Sequence, residues 1–72
     1  MKQYTVDRER MSELKKHGYR QLTKCYFKDL GEYWVIRIDK KTGELICRNL
    51  MHGKRKNAKP YIKDLIEEGI VI

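Results

Sequence analysis

The sequence predicts an α+β fold: a two-layer sandwich in which a three-stranded antiparallel sheet carries two helices on one face, in the order α-β-β-β-α. Three observations support it. Segments with helical start and stop signals stand near both ends of the 72-residue chain, the middle alternates apolar and polar residues with a period of two, and Gly31 and Gly43 fall where turns would separate the strands. Only one modest core can be enclosed by so short a chain, so the reading is a single domain over 1–72, with 1–5 as an N-terminal arm and 6–72 as the core.

The first helix is expected from Asp7 to His17. Asp7 can cap the free amides of the first turn and Glu9 suits the positive end of the helix dipole. Lys15, Lys16 and His17 suit the negative end, and Gly18 can take the left-handed conformation that ends a helix. The apolar stripe is thin, comprising Val6, Met11 and Leu14, so this helix depends on docking rather than on propensity.

Arg20 to Phe27 reads as the first strand, with Lys28 to Glu32 as a turn. Tyr33 to Asp39 is the next strand, with Trp34, Ile36 and Ile38 on one face and Tyr33, Val35 and Arg37 on the other. Lys40 to Gly43 closes a hairpin onto a third strand, Glu44 to Leu50. Met51 to Asn57 is a basic loop. The second helix is expected from Ala58 to Glu68, capped by Asn57, with Pro60 in its first turn, Tyr61, Ile62, Leu65 and Ile66 as its apolar stripe, and Gly69 as its stop. Ile70 to Ile72 is expected to fold back onto the core. Helices on one face would leave the opposite sheet face open.

Charge directs the functional reading. Seventeen Lys and Arg against ten Asp and Glu give a net charge of +7 and a pI near 9.6, the electrostatic footprint of a nucleic-acid binder. The main contact is expected at Lys54, Arg55, Lys56 and Lys59, where a helix N-terminus would add unpaired amides and a positive dipole end. Lys15, Lys16 and Arg20 form a second cluster that this topology can bring to the same surface, and Arg48 and Arg37 extend the patch if their register presents them there. Tyr33 is the candidate for base stacking, whereas Trp34 alternates in phase with Ile36 and Ile38 and belongs to the core.

Other chemistries find little support. His17, Cys25, Cys47 and His52 lack zinc-site spacing, so no metal and no cofactor is expected. Ser12 has no histidine at a readable spacing, and Gly53-Lys54 lacks the upstream glycine of a phosphate loop. Two cysteines and no apolar run of membrane-spanning length suggest a cytoplasmic protein without a membrane partner. The reading is a non-enzymatic module that binds RNA or DNA by its backbone. The alternative is a protein-interaction module, such as a phage or mobile-element regulator or inhibitor docking on an acidic partner, or a homodimer.

Glu13-Leu14-Lys15-Lys16-His17-Gly18-Tyr19, together with His52-Gly53-Lys54 and Ile62 to Ile70, resembles the small HicA-type messenger-RNA interferases. That resemblance implies the α-β-β-β-α topology of double-stranded-RNA-binding domains. The family's catalytic histidine, in Gly-Ser-His at the start of the second strand, has no counterpart in Gly31-Glu32-Tyr33-Trp34, so ribonuclease activity is not implied. A degenerate ribonuclease using His52 is the form of it that stays open. Arg55-Lys56-Asn57-Ala58-Lys59 is also similar to the Lys-Lys-x-Ala-Lys run that opens the second helix of double-stranded-RNA-binding domains, with Pro60 departing from that pattern.

Overall fold

In the computed structural model, which describes residues 3–72, the strands form a five-stranded antiparallel sheet. The strands are β1 (Tyr4–Thr5), β2 (Arg20–Gln21), β3 (Cys25–Gly31), β4 (Trp34–Asp39) and β5 (Glu44–Asn49), in the spatial order β1-β5-β4-β3-β2. This replaces the expected three-stranded sheet with two full helices, and the differences have local causes.

The arm supplies the first extra strand. Tyr4 pairs with Leu45 and Thr5 with Glu44, and the chain continues through an isolated bridge between Val6 and Val71. Tyr4 alternates inward and Thr5 outward, so even two residues suffice to seat an edge. Met1 and Lys2 of that arm lie outside the described residues. The second extra strand comes from splitting Arg20 to Phe27: the Leu22 amide donates to the Cys25 carbonyl at 2.8 Å, closing a tight turn that folds β2 back on β3.

The expected turn over Lys28 to Glu32 is mostly strand. β3 runs through Gly31, with a register shift between Asp29 and Gly31, and the reversal narrows to Glu32 and Tyr33. Both have positive φ, 51° and 68°, as a type I′ hairpin turn demands, although neither is the Asn or Gly usually found there. The β4–β5 turn follows the expected chemistry: the Asp39 carboxylate accepts from the amides of Lys41 (2.7 Å) and Thr42 (3.1 Å), and Gly43 has φ 80°. Those bonds hold the Asp39 carboxyl below its ordinary range, with a smaller contribution from Arg37.

The N-terminal helix, Arg8–His17, starts and stops where expected. Asp7 accepts from the Glu9 amide at 3.0 Å, and Gly18 closes the helix with φ 88°. It is wound as a 3-10 helix, and its inward residues Met11, Leu14 and His17 recur every three positions, the repeat that eclipses side chains in this tighter helix. The second helix is cut down to a 3-10 turn, Lys59–Tyr61, and the five-residue α1, Lys63–Glu67. Ile62, at φ −123°, interrupts the winding between them.

One cluster forms the core. Met11 and Leu14 from the N-terminal helix, and Ile62, Leu65 and Ile70 from the C-terminal segment, pack on Tyr26, Ile36, Ile38, Leu45 and Cys47 of the sheet. His17 clamps the two helical segments, its Nδ1 2.6 Å from Asp64 and its Nε2 2.8 Å from Glu68. Asn49 is the one buried polar or charged residue among those described. Its side chain accepts from the amides of Met51 and His52 and donates to the Glu32 carbonyl, fixing the loop after β5 against the β3–β4 turn. Both helical segments therefore cover the same sheet face.

Candidate nucleic-acid interface

Strand register assigns each residue to a face, since directly opposed residues project to the same side. Two rows cross the uncovered face. Arg20, Phe27, Arg37 and Ile46 form one, running from β2 to β5. Asp29, Val35, Arg48 and Arg55 form the other, Arg55 joining through an isolated bridge to Arg48 at the outer edge of β5. Cys25 pairs with Asp39 farther along. Leu22 and Leu50, 40% and 54% exposed, border the same surface with Phe27, Val35 and Ile46.

The expected cations divide into three groups. Lys54 and Arg55 are exposed beside β5, and Lys59 is exposed at the start of the 3-10 turn that follows. Lys15 and Lys16 are exposed at the end of the N-terminal helix, and Arg20 sits in β2 at the opposite sheet edge. Arg55 and Arg20 thus share the open face from its two sides, with Arg37 and Arg48 between them. The third group is Lys56 alone. Its ammonium lies 4.0 Å from the Trp34 ring centroid and 4.8 Å from that of Tyr61, and it donates to the Tyr61 hydroxyl at 2.8 Å. A cation so placed is held by the fold through its attraction to two ring faces.

Asn57 accepts from the Lys59 amide at 3.0 Å, but the residue at the N-cap is Ala58, not the expected Asn57, and only a single 3-10 turn follows. No helix long enough to build a macrodipole opens at the basic loop, so the expected contribution of a helix N-terminus to an anion site is absent there.

Tyr33 is 59% exposed at the tip of the β3–β4 turn. Trp34 is half-buried against the core, with the His52 ring edge-on at 5.5 Å. The His52 Nδ1 accepts from the Lys54 amide at 3.2 Å. The residues weighed as zinc ligands occupy separate environments: His17 between Asp64 and Glu68, His52 on Trp34, Cys47 in the core and Cys25 on the opposite sheet face. Burial pushes the Cys47 thiol above its ordinary pKa, which makes it a poor nucleophile. Among the described residues no helix is long and apolar enough to cross a membrane.

No protein-family model, curated protein or solved structure matches the chain.

Two features of this surface were missed in the sequence. Phe27 was read only as the end of a strand, and its place between Arg20 and Arg37 required the pairing register. Arg37 is expected on the face opposite Trp34, Ile36 and Ile38, but enters the basic patch only as a possible extension. The period-two pattern sets Arg37 opposite the core residues Trp34, Ile36 and Ile38, whereas the face of Phe27 follows only from its pairing with Arg37 across β3 and β4.

Proposed function

We propose that this chain is a non-enzymatic nucleic-acid-binding module that engages the phosphate backbone through cations displayed along the β5 edge and across the sheet. The observation that carries the reading is the state of these cations. Lys54, Arg55, Lys59, Lys15, Lys16 and Arg20 are all exposed, and among the described residues none has its charged group in an ion pair within 4.0 Å. Surplus charge that folding leaves unpaired is available to replace condensed counterions on a polyanion.

The test is fluorescence anisotropy with labelled single- and double-stranded RNA and DNA at about 50 and 200 mM salt. Binding that weakens steeply with salt, and falls further in a Lys54→Glu/Lys59→Glu variant that keeps the wild-type circular dichroism, supports the reading. No binding to any of the four probes at low salt overturns it. A protein partner is the second reading, favoured by the exposed apolar residues Leu22 and Leu50 on the open face. It predicts salt-insensitive self-association or capture of an acidic polypeptide in place of nucleic acid.

A further inference from the structure

The chain has six arginines, and the fold uses two. Arg8 donates to the Lys41 carbonyl at 2.7 Å; Arg10 forks onto Glu13 at 2.8 and 3.0 Å and reaches the Glu68 carbonyl. The remaining four, Arg20, Arg37, Arg48 and Arg55, all belong to the two rows of the open sheet face. Each is exposed, and among the described residues none makes a side-chain hydrogen bond or ion pair. Lysines are placed otherwise: Lys28, the one lysine within a strand, points to the helical side, where its ammonium meets the Tyr19 ring and the His17 carbonyl.

This sorting points to a ligand. A guanidinium differs from an ammonium in being planar, in forking onto phosphate oxygens and in stacking on flat rings. Between Arg20 and Arg37 lies Phe27, the aromatic residue of these rows, half-buried beside an apolar floor of Val35 and Ile46. Arginines around an aromatic platform suit unpaired bases, which expose ring faces that a duplex keeps stacked. Five aligned segments, from β2 to the Arg55 bridge, span about 19 Å at the usual strand spacing, room for a few nucleotides.

Three acidic residues, Asp29, Asp39 and Glu44, share this face with the four arginines and leave it net positive. The Asp29 carboxylate is turned to the Gly31 amide at 2.8 Å, and that of Asp39 to the amides of the β4–β5 turn. Charge also argues against a second copy seated face to face, since that would oppose arginines with arginines.

We infer that the open sheet face binds single-stranded nucleic acid, with Phe27 stacking on a base and Arg20, Arg37, Arg48 and Arg55 holding the flanking phosphates and ring faces. The inference rests on the proposed nucleic-acid function and narrows it to one strand and one surface.

The experiment compares a labelled mixed-sequence 12-nucleotide RNA, its DNA equivalent and a blunt duplex of the same length. They are titrated against wild type and the Phe27→Leu, Arg37→Lys and Lys54→Glu/Lys59→Glu variants, each checked by circular dichroism. Tighter binding of single strands than duplex is expected, weakened roughly tenfold by Phe27→Leu, which keeps an apolar residue but removes the ring. Arg37→Lys keeps the charge and should still weaken single-strand binding severalfold. If Phe27→Leu misfolds, the Arg37→Lys result decides alone.

Duplex binding as tight as single-strand binding overturns the inference. So does wild-type affinity in both face variants alongside loss in the lysine variant; in either case the broader reading stands. Failure of all three probes to bind removes the reading itself. If poly-glutamate competes with the single strand at equal charge concentration, the face is a general anion or acidic-protein surface and the inference also fails.

Discussion

The two faces of this sheet are built from the same strands by alternate residues, yet they have opposite fates. On the helical face Ile36, Ile38, Leu45 and Cys47 are almost wholly excluded from water, closed over by Leu14, Ile62 and Leu65. On the open face Val35 is as well buried as a core residue, at 4% exposure, yet it lies outside the core cluster, beside Arg37 and Arg48. Burial therefore does not separate the helical face from the open face here. What separates them is the use of charged groups: the helical side ties His17 to Asp64 and Glu68, whereas on the open side, among the described residues, four guanidinium groups make no side-chain hydrogen bond or ion pair.

The comparison can be broken most directly by truncation on each side. Ile36→Ala should cost about 3 kcal/mol, because Ile36 is fully buried within the core cluster and its truncation opens a cavity there. Ile46→Ala, its counterpart on the open face, should cost under about 1 kcal/mol. Urea denaturation reads both, and equal losses would mean that the open face is as much a core as the other.

Asn49→Ala should lose about 2 kcal/mol, since it strands the Met51 and His52 amides and the Glu32 carbonyl. That variant sharpens the comparison, because the loop it releases carries Lys54 and Arg55 beside the open face. Loss of nucleic-acid affinity with the fold retained would tie the placement of these cations to one buried amide.

The Glu32-Tyr33 turn gives a change of opposite sign. Tyr33→Gly relieves a left-handed backbone that costs an ordinary residue about 1 kcal/mol, so the denaturation midpoint should rise. If single-strand binding falls in the same variant, the exposed ring is kept there for contact in spite of its conformational cost.

The smallest effect is expected at Tyr19. Its hydroxyl is buried without a partner among the described residues, and that burial, with Asp64 and Cys47 adding to it, raises its pKa far above the ordinary tyrosine value. Tyr19→Phe should leave stability within about 0.5 kcal/mol of wild type or improve it, because an unsatisfied polar atom is removed with the shape kept. A clear loss would reveal a hydrogen bond from that hydroxyl.

Much of the frame was legible in local chemistry. Asp7 and Gly18 bracket the N-terminal helix, Asp39 and Gly43 make the β4–β5 turn, and Trp34, Ile36 and Ile38 face the helices as their alternation implied. These depend on neighbours a few residues away, so sequence alone determined them. Net charge belongs with them, being a sum over the chain.

Tertiary structure decided the rest. Two-residue strands such as β1 and β2 carry no periodicity to read; they exist because Leu45 and Phe27 offer a paired edge. The short C-terminal helix was hidden by a stripe over Tyr61 to Ile66 that fits a longer one, until packing of Ile62 and Leu65 interrupted the winding. The same holds for the cations. Lys56 and Arg55 are neighbours in sequence, yet one is drawn between two rings while the other pairs across β5 onto the open face. Composition fixes how many charges a chain carries. Which of them remain free is set by long-range pairing, because only the folded chain brings a distant ring, carbonyl or strand edge within reach.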